Sequence, residues 1–206
     1  MMNGARLRGV DVSRETLERL ADFETLIRKW NPAINLISKK SVDDFWNRHI
    51  VDSAQIFPHI PISADRCLDI GSGAGLPGIV LALLSAELSP KRKFVFVEVD
   101  QRKATFLREV VRTLGISAGI ESCRVETLRP FEADLLTARA LAPLSKLLPF
   151  AQRHLSKTGV CLFPKGENYL LELDEAKKLF DFEYEVIQSL TDSKAKILKV
   201  HGIQNA

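Results

Sequence analysis

The sequence predicts an α/β fold: a mostly parallel, doubly wound sheet with helices on both faces, preceded by a helical extension. Three observations carry this. From residue 66 onward, short apolar runs of strand type alternate with runs of helical period, the order of linked βαβ units. The first unit, residues 66–78, reads as a strand, three alternating glycines (Gly71, Gly73, Gly75) and a helix, which is the ligand-binding end of such a sheet. Residues 1–60 show helical patterns and no strand of their own. A chain of 206 residues suits one main domain and a small extension, so residues 1–60 are read as the extension and 61–206 as the ligand-binding domain.

Taken in order, Leu17, Leu20, Phe23, Ile27 and Trp30 recur at spacings of three and four, so 14–30 is expected as an amphipathic helix. Ser13 caps it and Asn31-Pro32 ends it. Ser41 and Asp44 resemble a capping box, starting a second helix that buries Trp46, Ile50, Ala54 and Phe57 and stops at Pro58. Strands are expected at 66–70, 93–98, 120–124, 134–138 and 159–163, with helices at 77–87, 101–114, 143–156 and 167–180. The helix at 101–114 carries Phe106, Leu107, Val110, Val111 and Leu114 on its apolar face, and Gly115 ends it in the left-handed region. Two last strands, 183–189 and 195–201, pair around a polar loop, 190–194. They bring the sheet to seven strands, with an antiparallel strand at its edge.

The composition, 46% hydrophobic and 27% charged, is that of a globular protein and excludes a disordered or fibrous chain. A net charge of +3 permits a nucleic-acid partner without demanding one. Cys67, Cys123 and Cys161 stand far apart in apolar runs, as small buried side chains in a reducing compartment. The histidines His49, His59, His154 and His201 lack metal-ligand spacing. No secretory pattern opens the chain and its apolar runs are too short to span a bilayer, so a cytoplasmic location without membrane attachment is expected.

The glycine loop decides the ligand. Gly73-x-Gly75-x-x-Gly78 fits the dinucleotide fingerprint. Asp69, two residues before the first glycine, would repel a pyrophosphate there, and Pro77 removes an N–H that such a site could use. A cationic, nucleoside-like ligand reverses that argument. S-adenosylmethionine carries a sulfonium and an ammonium that a carboxylate favours. Glu98 ends the next strand, at the place where an acid accepts hydrogen bonds from ribose hydroxyls. The candidate cofactor contacts are therefore Asp69, Glu98 and the loop residues Gly71, Ser72, Gly73 and Gly75.

The chain also resembles the bacterial glucose-inhibited division protein B family, S-adenosylmethionine-dependent guanine-N7 methyltransferases of 16S ribosomal RNA. Asn35-Leu36 followed by Arg48-His49-Ile50-x-Asp52-Ser53 is similar to the family's N-terminal motif. Residues 68–78, with the unusual Leu76-Pro77-Gly78, are similar to its cofactor loop. Arg139-Ala140 and Lys165-Gly166 are similar to two further motifs. One departure is Glu98-Val99, where the family often has Asp followed by Ser; the basic pair Arg102-Lys103 is kept. The resemblance implies a class I (Rossmann-like) methyltransferase in which Gly71 and Leu76 line the cofactor pocket. It further implies that Val125 and Glu126 flank the adenine and that Arg139 reaches the cofactor.

Guanine N7 bears an in-plane lone pair and no proton, so methyl transfer to it needs placement and no general base. A basic group that gripped O6 and N7 together would block the attack. Arg48, Arg139 and Lys165 are thus candidates to touch O6 alone or a flanking phosphate. His49 is read as structural, and Asp52 as part of a seam docking the N-terminal helices. Basic clusters such as Lys91-Arg92-Lys93 do not mark out an RNA surface, because most of the 15 aromatics look buried. The expected partner is 16S ribosomal RNA or the small subunit containing it, met by a monomer. The rival readings are a small-molecule methyltransferase, a nicotinamide-dependent oxidoreductase and a non-catalytic RNA-binding protein.

Overall fold

The computed structural model describes Leu7 and residues 9–206; residues 1–6 and 8 of the expected extension lie outside the described residues. The chain opens with α1 (Arg14–Ile34), followed by a short α2 (Lys39–Val42), a π-helical stretch (Trp46–Val51), α3 (Asp52–Ala54) and a 3-10 turn (Phe57–His59). The sheet region runs β1 (Arg66–Ile70), α4 (Gly78–Leu88), β2 (Lys93–Val97), α5 (Gln101–Thr113) and β3 (Ala118–Glu121). After a 3-10 turn (Val125–Thr127) come β4 (Ala133–Thr137), α6 (Leu144–His154), β5 (Leu155–Lys165), α7 (Tyr169–Lys177), β6 (Phe180–Gln188) and β7 (Lys196–Asn205).

The seven strands lie in the order β3-β2-β1-β4-β5-β7-β6. The first five are mutually parallel, while β7 runs antiparallel to both β5 and β6. The hairpin thus supplies the expected antiparallel strand, seated one place in from the edge. The strand order reverses between β1 and β4, and the crevice at their carboxyl ends is where such sheets bind ligands. Side chains alternate across the sheet with the period of two that strands impose. Cys67, Phe94, Phe96, Leu135 and Leu162 join a core with α1, α4 and α5. Leu68, Val97, Leu136, Cys161 and Phe163 join another with α6 and α7.

α4 is apolar all round because it is covered on both sides: Ile79 to Leu84 are all buried, between the sheet and α1. Its far end is tied to the start of α1, where Glu87 accepts from Ser13 N (2.9 Å), Ser13 Oγ (2.9 Å) and Thr16 Oγ1 (2.6 Å). Ser13 Oγ also caps α1 through Thr16 N. Arg92 fastens the junction into β1, donating to the carbonyls of Pro61 and Ala64 and lying 5.1 Å from the Phe57 ring centre.

Several boundaries differ from the sequence reading. α1 continues through Pro32 to Ile34, because Asn35 takes the left-handed conformation (φ 50°) and closes the last turn on Asn31 O. No capping box forms at Ser41, which lies inside α2 and donates to Ser38 O. The π-helical turn adds a residue to the repeat, so Phe45, Ile50, Ala54 and Ile56 are fully buried and Trp46 and Phe57 only half. β3 ends at Glu121, which leaves Cys123 half-exposed in a loop. β5 and β7 are longer than expected: β5 begins at Leu155, opposite Ala133 of β4, and runs to Lys165 against β7, while β7 continues to Asn205, opposite Phe180 of β6.

Candidate functional site

At the carboxyl ends of β1, β2 and β4 lies a cavity of about 450 Å³, a volume typical of small-molecule sites. Its floor is the turn after β1. Gly71 has φ +62°, a left-handed conformation that glycine adopts without strain, and a Cβ there would press on the Leu141 side chain at 2.5 Å. The Leu76–Pro77 peptide is cis. Glu98, at the end of β2, is buried and fixes two loops: Oε2 accepts from Gly73 N (2.7 Å) and Oε1 from Asp100 N (2.8 Å). Each oxygen keeps a lone pair for a ligand hydroxyl. Val97, Val99, Cys123, Val125 and Phe150 give the wall its apolar stretch. A glycine floor, a carboxylate with free lone pairs and an apolar slot fit the cofactor expected from the sequence.

Of the expected cofactor contacts, Gly71, Ser72, Gly73, Leu76, Glu98, Val125, Glu126 and Arg139 line this cavity; Asp69 and Gly75 do not. The strand period turns Asp69 to the Cys67 face, toward α4, where it is 1% exposed. Its carboxylate packs on Gly78, whose absent Cβ would lie 2.8 Å from Asp69 Cγ and 2.5 Å from a Phe96 ring carbon. Thr137 Oγ1 donates to Oδ1 at 2.5 Å, while Oδ2 is buried with no hydrogen-bond partner. Burial pushes the Asp69 carboxyl up to about 6. Asp69 thus stands behind the loop and ties β1 to β4, rather than facing the cavity.

Arg139, in the loop after β4, is held by the N-terminal segment. NH1 donates to Asp52 Oδ2 (3.2 Å) and to Arg48 O (3.5 Å), and NH2 meets His49 Nδ1 (3.2 Å). A guanidinium only donates, so Nδ1 accepts and the histidine proton sits on Nε2. Burial first, then Arg139, lowers the His49 pKa to about 4, which keeps the ring neutral at pH 7. Asp52 Oδ1 reaches onward, accepting from Gln55 Nε2 (2.9 Å) and from Thr191 Oγ1 (2.6 Å) in the loop before β7. The Arg48 side chain is exposed, lines neither cavity and makes no hydrogen bond among the described residues.

A second cavity of about 440 Å³ shares Arg139, Ala140 and Leu141 with the first, and Lys165 lies in it. Lys165 is nearly buried: Nζ donates to Ala142 O (2.8 Å) and Glu172 Oε2 (2.7 Å).

Some wall residues are not singled out by the sequence reading as contacts, notably Leu36, Lys103, Cys123, Leu141 and Phe150. Behind the wall, and likewise not singled out, lies His154, fully buried at the end of α6, with Nε2 3.0 Å from Val125 O. A carbonyl only accepts, so Nε2 carries the proton and holds the 125–127 turn against the cavity. Only its position one turn behind an apolar helix face hints at this. Among the described residues there is no cluster of metal-ligating side chains, and no helix long and apolar enough to cross a membrane.

A family model described as rRNA small subunit methyltransferase G matches residues 16–201. A protein of that name, ribosomal RNA small subunit methyltransferase G, from Ruegeria sp. (strain TM1040) is 50% identical over 195 residues, 95% of either chain. One from Cereibacter sphaeroides is 47% identical over 203 residues, 98% of either chain. Among solved structures, a ribosomal protein L11 methylase from Lactobacillus delbrueckii subsp. bulgaricus superposes with a TM-score of 0.60. It is 17% identical and the match covers 74% of this chain and 77% of that one, a likeness of fold.

Proposed function

Because the chain belongs to the rRNA small subunit methyltransferase G family, we infer that it transfers a methyl group from S-adenosylmethionine to N7 of a guanine in 16S ribosomal RNA. The observation that carries this is the pair of cavities meeting at Arg139: one fits the cofactor, and the other is open beside it. We further take the enzyme to be a monomer working in the cytoplasm, where its ribosomal substrate is, with residues 61–206 as the cofactor-binding domain and 1–60 as an extension that steadies Arg139.

When bound, S-adenosylmethionine supplies an electrophilic methyl group on a sulfonium. The residues do the rest by placement. Glu98 holds the glycine loop closed through Gly73 N and offers its free lone pairs to the ribose. Val125 and Glu126 flank the adenine, Leu76 and Ser72 close the floor, and Gly71 permits the approach. Asp52, the Arg48 carbonyl and His49 hold Arg139 between the two reactants. Lys165 has one N–H left after its two internal bonds, which suits guanine O6 and leaves N7 open. Arg48, free at the surface, suits a flanking phosphate. Because the sulfur keeps its electron pair and guanine N7 carries no proton, these residues would need to hold the two reactants in line without supplying a base.

The test is transfer from methyl-labelled S-adenosylmethionine to unmethylated small subunits and to their stripped RNA. Label recovered as 7-methylguanosine is the expected outcome; no label in either substrate, with cofactor bound, overturns the reading. Arg139→Ala is expected to lower turnover by about 100-fold at saturating RNA, because misplacement of reactants costs on that order.

A further inference from the structure

The second cavity carries a donor and an acceptor with unused capacity on one ion pair. Glu172 Oε2 accepts from Lys165 Nζ (2.7 Å) and from Leu144 N (2.7 Å), which uses both its lone pairs. Oε1 has no hydrogen bond among the described residues, and the Glu172 side chain is 24% exposed at the cavity wall. Lys165 Nζ keeps one N–H beyond its bonds to Ala142 O and Glu172. A cationic donor therefore stands next to a carboxylate oxygen with two free lone pairs. Leu141, Pro143, Pro164 and Ile197 give the same cavity apolar surface against which a ring can lie.

We propose that Glu172 is the residue that selects guanine, with Oε1 accepting from N1–H and N2–H2 of the base while Lys165 donates to O6. This rests on the methyltransferase reading above and adds the base-reading group to it. Guanine's Watson–Crick edge is the complement of the pair: one acceptor, O6, beside two donors. Adenine presents a donor where Lys165 donates and an acceptor where Glu172 accepts, so both contacts turn repulsive. Unstacked RNA bases are commonly read on this edge. Reading it leaves N7 unbound, free to face the wall that the cavities share at Arg139, Ala140 and Leu141. A site built to bond a donor rejects the analogue that lacks it, because the acceptor covered by the bound base is then left unpaired.

The experiment compares small-subunit RNA carrying guanosine or inosine at the position that the wild type methylates. Inosine keeps N7, O6 and N1–H and lacks only the 2-amino group. Wild-type kcat/KM is expected to fall about 10- to 100-fold on inosine, the loss of one hydrogen bond to a charged group. Glu172→Gln is expected to lose about as much on guanosine and to distinguish the two RNAs less than about threefold, with cofactor affinity held. Equal use of both RNAs by the wild type overturns the proposal without needing any variant, as does a Glu172→Gln enzyme that keeps the wild-type preference. A wild type that binds S-adenosylmethionine yet methylates neither RNA overturns the methyltransferase reading beneath it, a different result from transfer without discrimination.

Discussion

Asp69 shows how far a single position can be read. Its place before the glycines was legible, but its side of the strand follows from the alternation that turns it with Cys67 toward α4. Glu98, read from the same spacing, does line the cavity, because it follows the last residue of β2 and folds back onto Gly73 N. The buried carboxyl also makes a stability prediction. Its pKa is raised from 3.8 to about 6, so its contribution is present below about pH 4 and is lost as pH rises through 6. His49 runs the other way. Lowered from 6.5 to about 4, it contributes above pH 6.5 and loses that contribution as pH falls toward 4. Between pH 4 and 6 the two oppose each other. Asp69→Asn removes the first, so the variant should gain more unfolding free energy than the wild type between pH 4.5 and 6.5. Urea titrations of both proteins at the two pH values measure this; equal gains would remove Asp69 from the balance.

At the scale of elements, β1, β2, β4, α4 and α5 lie within a residue of the sequence reading, because short apolar strand runs and helix-length runs alternate there, with Gly71 ending β1 and Asp100 capping α5. The segment 41–60 was not legible, since a π-helical turn breaks the repeat on which such a reading depends. The 125–127 turn was named from the family likeness, but its support was hidden. His154 reaches it from the end of α6, and burial lowers its pKa, which keeps the ring neutral as a donor to Val125 O. His154→Leu keeps the apolar packing and removes that bond. The expected outcome is weaker S-adenosylmethionine binding by about 3- to 10-fold in calorimetric titration. Unchanged affinity would show that the turn holds its shape alone.

Over the whole molecule, the N-terminal helices share one core with α4, α5 and a face of the sheet: Leu20, Phe23 and Ile27 are fully buried there, and Trp30 lies 5.7 Å from Phe106. Both tryptophans belong to this region. Tryptophan fluorescence and far-ultraviolet circular dichroism should therefore report the same urea midpoint, and separated midpoints would mean that the extension unfolds by itself. Phe23→Ala should cost about 3–5 kcal/mol and lower that midpoint for both probes together. Alternating strand and helix made the parallel sheet legible. The seat of β7 between β5 and β6 was not, because hairpin sequence fixes which strands pair with each other and not which of them meets the sheet.

That seat has a temporal consequence. No residue of the first cavity's wall lies beyond Phe150, whereas the second draws on Ser189, Ala195, Lys196 and Ile197. As the polypeptide emerges from the ribosome that translates it, the lining of the first cavity is synthesised through Phe150 before β7, which completes the lining of the second, is made.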